Sequence, residues 1–280
     1  MSARIAVLGD SVGYGVGDES AEHPDRGLGR FLREAFGADV EYTNFARPGA
    51  RALEVVAEQL PAALERSPDV AVVIAGGNDV LRSNYRPVEV HAALHTIISS
   101  LRTRGAEVVT LRLHDPCELI RLPNRIQRVL RRRIDALNRV IDHVADDLDA
   151  LLIDARQLGN VYDKSLWHVD RMHPSPLGYF RLAEHVCERL TLRGFDLNPL
   201  TLPSRSRSRR VGQILWLVRN GVPWFVKRCG DLIPGMLFLW VCEVMRDAVT
   251  RVVRVTTRGH ADGTIQQLEQ EQPRTMPRAS

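Results

Sequence analysis

"RIAVLGDSVGYGVG", Arg4–Gly17, opens the chain with a continuous apolar run, Ile5-Ala6-Val7-Leu8, that ends on a glycine. A run without polar interruption reads as a strand buried on both faces. Gly9, Gly13, Gly15 and Gly17 then let the backbone turn tightly and let another molecule approach it closely. On that turn stands Ser11. Three uses for it compete: part of a phosphate cradle, a nucleophile, or a plain strand-to-helix connection.

The same alternation continues to about Phe195. Apolar runs suited to strands recur at Val40–Asn44, Val70–Ile74, Val108–Leu113 and Leu151–Asp154. Helical periodicity lies between and after them, near Leu28–Phe36, Ala52–Leu64, Val88–Arg104, Arg125–Leu148 and Leu177–Leu192, with Pro61 expected to break or kink the second of these. Strands separated by helices imply an α/β fold, a doubly wound parallel sheet with helices on both faces.

The chain has 280 residues, enough for one large domain and an appendage. Its four cysteines show no short C-x-x-C spacing, which favours reduced thiols over a disulfide frame or a zinc site. No basic segment followed by an apolar run precedes the first strand, so no secretory signal is expected. Residues 201–280 carry 13 Lys and Arg against 6 Asp and Glu, whereas the rest of the chain is slightly acidic. That split predicts a near-neutral, enzyme-like domain over 1–200, a basic linker over 201–212, an apolar and basic helical segment over 213–258 and a disordered tail over 259–280.

The phosphate cradle fails on spacing. A P-loop needs Lys-Ser/Thr after its glycines, and Gly13-Tyr14-Gly15-Val16-Gly17 does not fit G-x-G-x-x-G. A nucleophilic serine needs a base, a group that orients the base, and donors for the oxyanion. In a parallel sheet these belong in the loops at the carboxyl ends of the strands, which open onto one crevice. After the second strand comes "NFARPGAR", with Asn44, Ala46 and Gly49; after the third, "GGND", Gly76–Asp79; after the fifth, "DRMHPSPLGY", with Asp170 and His173. His173 is placed to take the Ser11 proton, with Asp170 three residues back to hold its other ring nitrogen. The N–H groups of Ser11 and Gly49 and the side-chain amide of Asn78 are placed to surround an oxyanion. His114 and Asp115, in "HDPC" after the fourth strand, are expected either to line the pocket or to form a plain Asp-Pro turn. Asp10 and Asp79 read as loop-holding carboxylates. His168 is a rival base without an acid at the matching offset.

These stretches resemble a known family. "GDSV" with Gly15 is similar to the first block of the GDSL, or SGNH, hydrolases, "NFARPG" to the second, "GGND" to the third and "DRMH" to the fifth. The blocks stand in the family's order over residues 4–195. The resemblance implies a flavodoxin-like three-layer α/β/α sandwich around a parallel five-stranded sheet; the C-terminal helical extension lies beyond it, since the resemblance stops at about residue 200. It also implies a carboxylic ester hydrolase of esterase or lipase type, with nucleophile Ser11, oxyanion donors Gly49 and Asn78, base His173 and its partner Asp170. Val12, Gly13 and Ala46 depart from the usual motif letters, and all are small enough to keep the turns tight. Gly9–Gly13 also satisfies G-x-S-x-G, but the α/β-hydrolase elbow needs strands before its serine, and the chain has no room for them.

No cofactor or metal is expected. Asp142, Asp146, Asp147 and Asp149 read as a solvated helix face, and Arg131-Arg132-Arg133 as a charged helix surface. Nothing suggests nucleic-acid reading. The expected substrate is a small-molecule or lipid ester. The alternatives are an acyltransferase built on the same triad, or a membrane-associated scaffold with an inactive hydrolase domain. The protein is expected in the cytoplasm, with peripheral contact to anionic membrane at its inner face through residues 203–245. There the basic "PSRSRSRR" precedes a stretch holding Trp216, Trp224 and Trp240; packing of that stretch onto the domain, as a cap or dimer contact, is the competing expectation. If it is a membrane contact, the full chain pellets with anionic liposomes and a chain ending at Leu202 stays in the supernatant. Equal pelleting removes the membrane reading.

Overall fold

The computed structural model describes residues 3–18 and 25–203, together with Val241 and Met245. The chain divides into two compact units, Met1–Met236 and Leu237–Ser280, and every element described below belongs to the first. The expected linker, the apolar and basic segment and the tail lie outside the described residues, apart from positions 201–203, 241 and 245.

Five parallel strands form one sheet: β1 (Arg4–Gly9), β2 (Glu41–Asn44), β3 (Val70–Ile74), β4 (Glu107–Arg112) and β5 (Leu151–Asp154), in the order β2-β1-β3-β4-β5. This is the flavodoxin-like order, and its reversal point falls between β1 and β3. Residues 70–74 are all buried, as a central strand covered on both faces demands. β2, at an edge, is only partly covered and accordingly polar, "EYTN".

The described helices are α1 (Ser11–Tyr14), α2 (Leu28–Phe36), α3 (Ala52–Glu54), α4 (Leu60–Glu65), α5 (Pro87–Thr103), α6 (Asn124–Asp147) and α7 (Pro176–Leu192). Alternate strand residues supply the two cores. Ile5, Val7, Val72 and Ile74 face α2 and α7, where Leu28, Phe31, Tyr179 and Val186 cover them. Ala6, Leu8, Val73 and Val108 face the layer of α3 to α6, against Val55, Leu94, Ile97 and Leu137. The period-two strand pattern thus meets helical stripes on both sides. No helix among the described residues is long and apolar enough to cross a membrane.

The expected break at Pro61 takes a different form. Pro61 lacks an N–H, and its ring collides with the carbonyl four residues back. The chain absorbs this by widening Val55–Gln59 into a π-helical turn between α3 and α4, so helical winding runs on without interruption. The wider turn buries Gln59 against the end of β1. Its Oε1 accepts the Gly9 N–H at 2.7 Å, and its Nε2 donates to the Gly9 carbonyl at 2.9 Å. Gly9 itself has φ +137°, and a Cβ there would lie 1.9 Å from the Ile74 carbonyl oxygen. Only glycine fits.

Gln59→Leu leaves the buried Gly9 N–H without an acceptor. The expected loss is about 1–3 kcal/mol of unfolding free energy, read as a lower urea midpoint at unchanged slope.

Candidate active site

Ser11 is the first residue of α1, immediately past β1. Asp10 caps that turn, its Oδ1 accepting the Val12 N–H at 3.0 Å, and Gly15 closes it with φ +94°. A four-residue helix is not stable alone, so distant groups hold it. The Tyr179 hydroxyl, from α7, donates toward the carbonyls of Val16 (2.8 Å) and Val12 (3.2 Å). The Asn44 amide, at the end of β2, donates to the Gly13 carbonyl at 3.1 Å.

His173 and Asp170 sit in the segment between β5 and α7. Trp167 and Pro174 form an isolated antiparallel bridge there, and the His168 N–H donates to the His173 carbonyl at 2.8 Å, closing a narrow loop around Asp170. Asp170 Oδ1 accepts the backbone N–H groups of Met172 (2.9 Å) and His173 (3.1 Å). Its Oδ2 lies 2.8 Å from His173 Nδ1, and His173 Nε2 lies 2.8 Å from Ser11 Oγ. With Nδ1–H donating to the carboxylate, Nε2 is free to accept the serine proton. The three residues expected from the sequence therefore form one hydrogen-bonded line, although 162 positions separate Ser11 from His173.

His168 also reaches this line. Its Nδ1 is 3.3 Å from Asp170 Oδ2, so the acid beside it is the one His173 uses, where sequence spacing predicts none. The ring that lies within hydrogen-bond distance of the Ser11 hydroxyl is that of His173, at 2.8 Å.

The other expected residues divide. Asn78, in the turn after β3, donates through Nδ2 to the Ala50 carbonyl at 3.1 Å and more weakly to Asp10 Oδ2 at 3.4 Å. That amide therefore joins the loop carrying Gly49 to the turn carrying Ser11. Gly49 has φ +85°. Neither its N–H nor that of Ser11 has a protein acceptor among the described residues. Asp79 Oδ2 accepts the Ala52 N–H at 3.0 Å and fixes this loop from behind. His114 packs on Trp167 with ring centres 4.2 Å apart, supporting the loop that bears Asp170. Asp115 accepts the Cys117 N–H at 2.9 Å and pairs with Arg131 at 2.5 Å, the Asp-Pro turn arrangement. Sequence reading passed over Gln59 and Tyr179; a lone Gln or Tyr on a helix carries no local signal of the distant carbonyl it will meet.

Electrostatics set the carboxylates apart. Burial pushes the Asp170 carboxyl up, but hydrogen bonds from His168, His173 and the Met172 N–H outweigh it and hold the group far below the ordinary range. Asp10 is buried to 6% exposure, and burial lifts it to about 6 against the pull of the Val12 N–H and of His173, with Asp79 adding to the rise. Burial also lowers His114 to about 4, so this imidazole is neutral near pH 7. No group of three or more His, Cys, Asp or Glu among the described residues is arranged to hold a metal ion.

The known proteins similar to this chain agree with one another. The model described as the GDSL-like Lipase/Acylhydrolase family matches residues 7–181. No curated protein matches the chain. Among solved structures, TesA is 25% identical, with TM-score 0.53 over 68% of this chain and 98% of its own. A lipase/acylhydrolase from Enterococcus faecalis is 21% identical, with TM-score 0.54 over 71% of this chain and 99% of its own. Axe2, an acetylxylan esterase from Geobacillus stearothermophilus, shares the fold at 19% identity and TM-score 0.53, over 67% of this chain and 94% of its own.

Because the folded-state pKa of Asp170 is depressed, its contribution to stability is present above the ordinary carboxylate pKa and lost as pH falls below it. Urea unfolding should show stability dropping from about pH 5 downward, and Asp170→Asn should flatten that drop.

Proposed function

The chain belongs to the GDSL-like lipase/acylhydrolase family and is a carboxylic ester hydrolase; from that premise we propose that it works through an acyl-enzyme on Ser11, with His173 as general base and acid and Asp170 as the partner of His173. One observation carries this reading: the unbroken line from Asp170 Oδ2 through both ring nitrogens of His173 to Ser11 Oγ, with both contacts at 2.8 Å.

The steps follow from the line. Ser11 Oγ attacks the ester carbonyl carbon while its proton passes to His173 Nε2. The carbonyl oxygen becomes an oxyanion beside the N–H groups of Ser11 and Gly49 and the amide of Asn78. Collapse of the tetrahedral intermediate expels the alcohol, which takes the proton from Nε2, and leaves the acyl group on Oγ. Water repeats the sequence, giving its proton to Nε2, and the carboxylic acid and free serine emerge. Throughout, Asp170 stays ionised, as its depressed pKa favours, and stabilises the imidazolium. The substrate is a small-molecule or lipid ester.

Ser11→Ala and His173→Ala should nearly abolish hydrolysis of short p-nitrophenyl esters, and Asn78→Ala should cost about 10²–10³-fold in kcat. A fluorophosphonate probe should label Ser11 in the wild type. A Ser11→Ala protein that cleaves these esters at the wild-type rate rules the mechanism out.

A further inference from the structure

Asp10 is a buried carboxylate that the mechanism above does not use. The titratable groups that face it are His173 from the loop before α7, Asp79 from the turn after β3 and Tyr179 from α7. It forms no salt bridge with a lysine or arginine among the described residues, and burial raises its pKa. Capping α1 does not account for it, because asparagine caps a helix as well as aspartate and has no charge to bury. What aspartate offers and asparagine does not is an acceptor on both oxygens. Oδ1 takes the Val12 N–H, and Oδ2 faces Asn78 Nδ2 at 3.4 Å. Loop β3–α5 closes around this second oxygen: a Cβ at Gly77 would lie 3.4 Å from it.

An asparagine side chain can present either its NH2 or its carbonyl oxygen, and the two ends have nearly the same shape. For an oxyanion donor the difference is one of sign: the NH2 end attracts the developing charge and the oxygen repels it. The Ala50 carbonyl accepts one amide hydrogen of Asn78, and Asp10 Oδ2 is the second acceptor on the same NH2. We infer that Asp10 is a positioning residue, whose second carboxylate oxygen keeps the NH2 end of Asn78 turned toward the Ser11 and Gly49 amides. The 3.4 Å contact is long, so it orients the amide without holding a hydrogen that the oxyanion must take. The inference rests on the reading of Asn78 as an oxyanion donor.

Asp10→Asn keeps the cap but removes the second acceptor together with the charge that faces His173, and the Asn78→Ala background separates the two effects. Its kcat should fall at least about tenfold with KM within about twofold, as expected when an interaction made only in the transition state is lost. Introduced into Asn78→Ala, the same substitution should cost less than about twofold, since the group it acts through is gone. Asp10→Ser, which caps but is too short to reach Asn78, should reproduce both results. The folded-state pKa of Asp10 is raised, so its charge costs stability above the ordinary carboxylate pKa. The Tm of Asp10→Asn relative to wild type should therefore be higher at pH 8 than at pH 4, which separates the rate loss from unfolding. An undiminished kcat in both Asp10 variants, or an equal loss in the Asn78→Ala background, overturns the inference while leaving the mechanism standing. A silent Asn78→Ala overturns the oxyanion assignment first, and this inference with it.

Discussion

Where β1 ends, two backbones come closer than any side chain permits. The Gly9 position is pressed against the Ile74 carbonyl, with room for a hydrogen but not for a methyl group. From that contact the Asp10 N–H donates to the same carbonyl at 3.0 Å, and the chain leaves the sheet in a fixed direction. Every later feature of the site inherits it: the cap at Asp10, the place of Ser11 at the head of α1, and the reach of its hydroxyl toward the loop before α7. Gln59 closes the remaining hydrogen bonds of Gly9 from the opposite layer. The serine is thus aimed by sheet geometry and not by the glycine-rich turn alone.

Two carboxylates near that serine are driven in opposite directions by what surrounds them. Asp170 collects donors on both oxygens and stays charged; Asp10 is buried with one backbone donor and one distant amide. Environments that push paired acids apart in this way mark sites where protonation states have work to do. Stability is spent at Asp10 and recovered at Asp170, which is the pattern expected where local structure serves chemistry first.

Much of this was legible in the sequence because the signals are local. Val70–Ile74 and Leu151–Asp154 fall where continuous apolar runs placed them, and α2 begins and ends where its apolar stripe does. The loops after β1, β2, β3 and β5 announced Ser11, Gly49, Asn78 and the pair Asp170 and His173, since a parallel sheet must gather them on one edge. What escaped depends on contacts far apart in the chain. The π-helical turn needed the conflict between Pro61 and the packing of Val55; the share that His168 takes in Asp170 needed the bridge between Trp167 and Pro174. Nothing local marks Tyr179, because the carbonyls of Val12 and Val16 that its hydroxyl meets lie far back in the chain.

That tyrosine has a consequence for how the molecule comes into being. The hydroxyl that pins the first turn arrives 163 and 167 positions after the carbonyls it meets, and the imidazole arrives 162 after the serine. At a ribosome adding roughly 5–20 residues each second, the serine waits on the order of ten to thirty seconds for its neighbours. Until α7 emerges, the turn lacks its Tyr179 contacts and Ser11 lacks the His173 imidazole. On the proposed mechanism, esterolytic competence therefore switches on late, as a property of the finished domain.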